Sequence, residues 1–189
     1  MDEKLKAVLM ADEVVKWTGR PEPSKLLDAP YKKSLITTWI VSAVLTIVLW
    51  ILLLPFAFAS DGFRKEPVIL LVAVTAMIGF IAVQPILEKR RLESGTIYAI
   101  TNSRVLILNK VETLNFLLNG SVRIKVENRH DGCGNICLNE MIGKPVHKTR
   151  SFRALCVKSE DADKKTLGLM LYNVKSPDEV CGYLSENAA

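Results

Sequence analysis

The chain has 189 residues, 49% of them hydrophobic and 24% charged, with a net charge of +5. That length allows one domain, or a domain with a membrane anchor. The basic excess is too thin for nucleic-acid binding: from Glu88 onward 16 Lys/Arg stand against 12 Asp/Glu, with no dense basic patch.

Residues 1–34 open with "EKLKAVLMADEVVK", which predicts a short helix, and continue with "WTGRPEP". Gly19, Pro21 and Pro23 stop any helix there and predict an extended approach to the next segment. Trp17 suits either a membrane interface or packing against the later domain.

Residues 35–59, "LITTWIVSAVLTIVLWILLLPFAFA", carry no formal charge over 25 positions, and residues 67–87 carry none over 21. At 1.5 Å per residue, about 20 helical residues cross a hydrocarbon core of roughly 30 Å. Buried helices of soluble domains are usually shorter and keep a polar stripe. Both runs are therefore predicted as transmembrane helices joined by an external loop at 60–66. A cleaved signal peptide fits poorly, because the first run starts 34 residues in and lacks a small-residue cleavage site.

Lys25, Lys32 and Lys33 precede the first span, and a basic collar at 88–94 carries Lys89, Arg90 and Arg91. The loop holds only Arg64 and Lys65, offset by Asp61 and Glu66. This bias predicts a multi-pass protein of the inner (cytoplasmic) membrane with both termini in the cytoplasm. Neither span contains an ionisable residue, which argues for an anchor or assembly surface and against a transport pathway. Thr75 and Gly79, small residues at i and i+4, are expected to close the helical hairpin.

From Gly95 the pattern changes to period two. "TIYAI" and "RVLIL" flank a turn rich in Asn and Ser, and "ETLNFLL", "SVRIKVEN", "GNICLNE", "FRALCVK" and "TLGLMLYNV" follow. "SPDEVCGYLSE" then predicts a helix, with Ser176 as N-cap, Pro177 in the first position and Glu179 completing a capping box. Val180, Tyr183 and Leu184 share one face of it. The expected fold is a membrane-anchored α+β protein. A two-helix transmembrane hairpin precedes a small antiparallel β-barrel or sandwich of about seven strands at 95–189, capped by a C-terminal α-helix.

Seven strands closed by one helix is the outline of a pleckstrin-homology (PH)-like domain. Four motifs occur in order: "EVVKWTGRP" (Glu13–Pro21), "YAITNSRVLI" (Tyr98–Ile107), "GCGNI" (Gly132–Ile136) and "VKSPDEVCGYL" (Val174–Leu184). With the two spans, they make the chain resemble the bacterial PH-domain membrane proteins over nearly its whole length. The resemblance implies a membrane-anchored PH-like module in a group mostly without an assigned activity.

Three chemistries deserve weighing. His130, Cys133 and Cys137, with a remote His147 or Cys156, match the number of ligands that zinc takes. In an extended strand, however, Cys133 and Cys137 stand about 13 Å apart, at roughly 3.3 Å per residue. In a reducing cytoplasm no disulfide is expected, Cys156 and Cys181 read as small core residues, and no cofactor is predicted. Nucleophilic catalysis needs an oriented base, and neither histidine lies in such a setting, so the expected protein is not an enzyme. Headgroup or partner binding has candidates in Arg104, in Arg123, Lys125 and Arg129 along "VRIKVENR", and in Lys89, Arg90 and Arg91 of the collar, with Glu127 diluting the strand patch. The expected role is a protein-interaction, assembly or accessory subunit at the cytoplasmic membrane face. Its expected partners are membrane lipids and either a membrane protein or a second copy of the chain. Anionic headgroup binding through the basic strand face is the alternative, and a Cys/His metal or thiol site a minor one.

Overall fold

The computed structural model describes residues 3–25, 27, 32–58, 64–110, 112–120, 122–144, 155–160 and 165–188. The tip of the expected external loop (60–63) and His147 lie outside them. The chain forms two compact units, Leu26–Leu87 and a second made of Met1–Lys25 with Glu88–Ala189.

The first unit is built from two long helices, α2 (Lys32–Ala57) and α3 (Lys65–Gly95), named after a short α1 described below. Both are long and apolar enough to cross a membrane. Ile47, Ile51, Phe56, Ile69 and Phe80 are all exposed, an arrangement costly in water over so large an area. Two indoles tie the helices together: Trp39 Nε1 donates to the Ala82 carbonyl and Trp50 Nε1 to Thr75 Oγ1, each at 3.1 Å. Thr75 thus lies at the helix contact as expected. Gly79 does not: it is exposed, and nothing lies within 4 Å of where its Cβ would be. Aromatic hydrogen bonds, not small-residue contact, join this pair. The expected collar is no separate segment either, because α3 continues through Lys89, Arg90 and Arg91 to Gly95.

The second unit holds two four-stranded antiparallel sheets. The first has the order β1-β2-β3-β4, with β1 at Val15–Gly19, β2 at Ile97–Thr101, β3 at Arg104–Leu108 and β4 at Thr113–Leu117. The second has the order β5-β6-β8-β7, with β5 at Ile124–His130, β6 at Cys133–Asn139, β7 at Cys156–Lys158 and β8 at Thr166–Lys175. All seven strands expected after Gly95 are present. The eighth, β1, comes from the N-terminal segment, where a helix and then an extended approach were expected. The helix α1 stops at Val8 (Glu3–Val8), and "VKWTG" pairs with β2, with Trp17 opposite Ile100 and Gly19 opposite Tyr98. Trp17 is half-buried, its ring lying over Gly19, so it packs on this unit.

Packing covers both faces of the first sheet. Leu5 of α1 meets Ala99, Leu106 and Leu108 on the outer face, and Val8 and Leu9 pack against them. In period-two alternation the neighbouring Tyr98, Ile100, Val105 and Ile107 lie on the opposite face, all fully buried. Tyr98 joins the two sheets: its hydroxyl donates to the Tyr172 carbonyl (3.2 Å) and accepts the Tyr172 N–H (3.0 Å), far from water. Close backbone approach matters at Gly168 of β8, where a Cβ would fall 2.5 Å from Met141 N and 2.9 Å from Leu138 O.

The C-terminal helix α4 (Pro177–Ala188) starts where the sequence places it and buries Val180 and Leu184. Its cap differs from the expected one. Ser176 has φ 48°, a left-handed conformation outside the extended one usual for an N-cap, and its carbonyl accepts the Glu179 N–H at 3.1 Å. Its own N–H donates to Gly132 O (3.0 Å), so the helix start is set by the β5–β6 turn.

Tyr98→Phe keeps the ring but removes both partners of the buried Tyr172 peptide. The expected loss is about 1–3 kcal/mol, measured as a lower Tm in a circular-dichroism melt with unchanged secondary structure.

Candidate functional site

Arg104, at the end of the β2–β3 turn, was a candidate contact by sequence; the structure makes that turn, Thr101 to Arg104, the dock for the N-terminal segment. Asn102 Oδ1 accepts the Val14 N–H and its own N–H donates to Val14 O, both at 3.1 Å. Arg104 grips Glu13 with two short bonds, Nε to Oε1 at 2.6 Å and the second nitrogen pair at 2.7 Å, and donates further to Val8 O (2.9 Å) and Asn115 Oδ1 (3.1 Å). Thr101 Oγ1 and Ser103 Oγ add bonds to Glu13 Oε1 at 2.8 and 3.1 Å. Both side chains of the pair are almost wholly buried, 6% exposed for Arg104 and 2% for Glu13. The Arg104 guanidinium, outweighing the burial that opposes it, holds the Glu13 carboxyl at about 2 against an ordinary 4.5. Arg104 is thus engaged inside the protein.

A second cluster ties the chain just before the helical pair to the last turns of α3. Glu93 Oε1 accepts the Ser24 N–H (2.9 Å) and lies 2.7 Å from Lys89 Nζ, which donates to Ser24 O at 2.6 Å. Lys89 is therefore a strut within the β unit, while Arg90 and Arg91 are exposed.

The cations of β5, and Arg123 just before it, also have carboxylate partners: Arg123 with Glu140 (3.2 Å), Lys125 with Glu127 (3.1 Å) and Arg129 with Asp178 in a fork of 2.6 and 2.7 Å. All three are exposed, so these pairs contribute little stability, yet they offset the positive field that a headgroup would meet. The cysteine constellation is likewise not assembled. Asp131 and Gly132 both have positive φ (49° and 75°), the pattern of a tight hairpin turn that places His130 opposite Cys133. Cys137 lies at the far part of β6, and burial with the Glu127 carboxylate pushes its thiol up to about 12. Among the described residues no group of three His, Cys, Asp or Glu can hold a metal ion, and no cysteine is in a disulfide.

What sequence reasoning missed is a cleft of about 560 Å³ between β4 and the start of β8. Of the four large hydrophobic side chains exposed on the β unit among the described residues, Met10, Val14, Leu117 and Leu167, three line it, Val14 being the exception. Asn115 lies on the same wall, and Lys158 and Lys165 bring cations to it. Leu117 and Leu167 fall at outward positions of strands whose inward neighbours are buried. The arrangement suits an extended apolar segment.

No family model matches the chain, and neither a curated protein nor a solved structure does.

The depressed carboxyl sets a pH dependence. Because the folded value lies below the unfolded one, the Glu13 contribution is complete above about 4.5 and is lost as pH falls toward about 2. Glu13→Gln leaves Arg104 buried without its counter-charge. It should cost about 3–5 kcal/mol at pH 7 and flatten the stability profile between these values, read from thermal melts at stepped pH. The thiols give a further check: Cys137 should resist iodoacetamide at pH 8 in the native protein and react only after denaturation.

Proposed function

We propose that the protein is a two-span protein of the cytoplasmic membrane whose β unit is a PH-like, non-enzymatic interaction or accessory module on the cytoplasmic side. The observation that carries this reading is the insertion of the helical pair between two strands that pair with each other, β1 and β2. Strand pairing requires both ends of the insertion to lie on one side of any membrane that it crosses, so the number of crossings is even. Two exposed apolar helices of spanning length meet that condition. The two sheets with a C-terminal helix agree with the PH-like outline, and the exposed apolar side chains gathered at one cleft favour a protein partner. Headgroup binding through β5 has less support, since Arg123, Lys125 and Arg129 each have a carboxylate partner.

In cells, the full chain should stay in the membrane fraction after alkaline carbonate washing, and a C-terminal tag should resist protease added outside. Purification in mild detergent should bring down a membrane protein in fixed stoichiometry. Release by carbonate would sink the membrane assignment, and recovery of the chain alone under several mild conditions would sink the interaction role.

A further inference from the structure

Among the described residues four strands end the two sheets: β1 and β4 in one, β5 and β7 in the other. Edge strands invite pairing with other chains, and proteins usually protect them with charges, bulges, prolines or short length. Three of these edges follow that rule. β1 has a register shift between Val15 and Trp17 and carries Lys16. β5 carries Lys125 and Arg129 and shifts register between Glu127 and His130. β7 has three residues and a shift of its own.

β4 has no such protection. Its sequence, Thr-Leu-Asn-Phe-Leu, contains no charge and no proline, and it pairs with β3 in unbroken register over five residues. The direction of its backbone groups follows from two bonds at the ends of the ladder. Leu118 N–H donates to Ser103 O (2.9 Å) and Asn109 N–H to Glu112 O (3.0 Å). With Val105 opposite Phe116 and Ile107 opposite Leu114, hydrogen-bonded pairs alternate along the ladder. Thr113, Asn115 and Leu117 fall between those pairs, so their N–H and C=O groups point away from β3. These three residues also line the cleft.

We infer that β4 is a docking edge, and that its occupant is an extended segment of a partner protein, apolar and acidic at alternating positions, added as a further strand. This rests on the interaction-module reading and names where the partner binds. Leu117 and Leu167 supply apolar contacts beside the edge. Among the described residues, the side chains lining the cleft include Arg104, Lys158 and Lys165 and no carboxylate. Glu13 and Glu112 offset the first two from outside the lining, and the exposed Lys165 adds positive charge at the cleft. This balance favours an acidic guest and opposes a second copy, which would bring the same cations to the shared edge.

The test uses the full chain in mild detergent and two labelled octapeptides, one alternating Glu and Val, the other Lys and Val, followed by fluorescence polarisation. The Glu/Val peptide should bind at least about tenfold tighter, and amides of Thr113, Asn115 and Leu117 should gain hydrogen-exchange protection in its presence. Leu117→Pro removes only an outward N–H, and Leu117→Lys adds the charge that protected edges carry. Each should weaken binding about tenfold or more, whereas Arg123→Ala, just before β5, should not. Because Leu117 is exposed, the lysine variant remains informative if the proline variant fails to fold. Equal binding of both peptides, or unchanged binding by Leu117→Lys, overturns the assignment. So does a wild-type dimer that Leu117→Lys dissociates, since the occupant is then a second copy. A membrane partner that still co-purifies with Leu117→Lys would leave the interaction role standing while removing β4 as its site.

Discussion

The pairing of β1 with β2 is the constraint on which the rest of the molecule depends. It joins residues that stand on either side of the two long helices, and it is fastened at one end by the buried Glu13–Arg104 pair and at the other by Ser24, Lys89 and Glu93. A buried ion pair is costly unless its geometry and its remaining hydrogen bonds are good. Here Thr101, Ser103, Asn115 and the Val8 carbonyl complete the set, so the charges hold the N-terminal segment in one register.

The four sequence motifs become two devices when their contacts are known. Glu13 and Val14 of the first meet Asn102 and Arg104 of the second. In the third and fourth, Gly132 O accepts the Ser176 N–H, and Gly134 leaves room for Pro177, whose Cγ would lie 3.3 Å from an added Cβ. Each motif thus supplies one half of a contact between distant parts of the chain. That is a structural reason for their composition, and the lining of the cleft beside β4 shares only Arg104 with them.

Much of this was legible in the sequence because the signals are local. Long uncharged runs set the helices, period-two runs set the seven later strands, and the Ser-Pro-Asp-Glu start set α4. β1 was illegible because "EVVKWTG" continues a helix-compatible pattern, and its strand partner lies some eighty residues away. The β5 cations looked like a patch because Glu140 and Asp178, which face Arg123 and Arg129, come from other parts of the chain. The cleft escaped notice for the same reason: Leu117 and Leu167 are ordinary strand residues until the fold sets β4 beside β8. Gly79 failed as a packing signal because two tryptophans determine how the helices meet.

The inserted helices also change how the β unit is assembled. Bringing β1 to β2 across a flexible segment of that length would carry the entropic penalty of a long closed loop. Two antiparallel helices, fastened by Trp39 and Trp50, return the chain toward its point of departure. To the β unit the hairpin is therefore a cross-link made of secondary structure, acting on the unfolded ensemble much as a disulfide does. Replacing the helices by a flexible linker of the same length would remove that advantage.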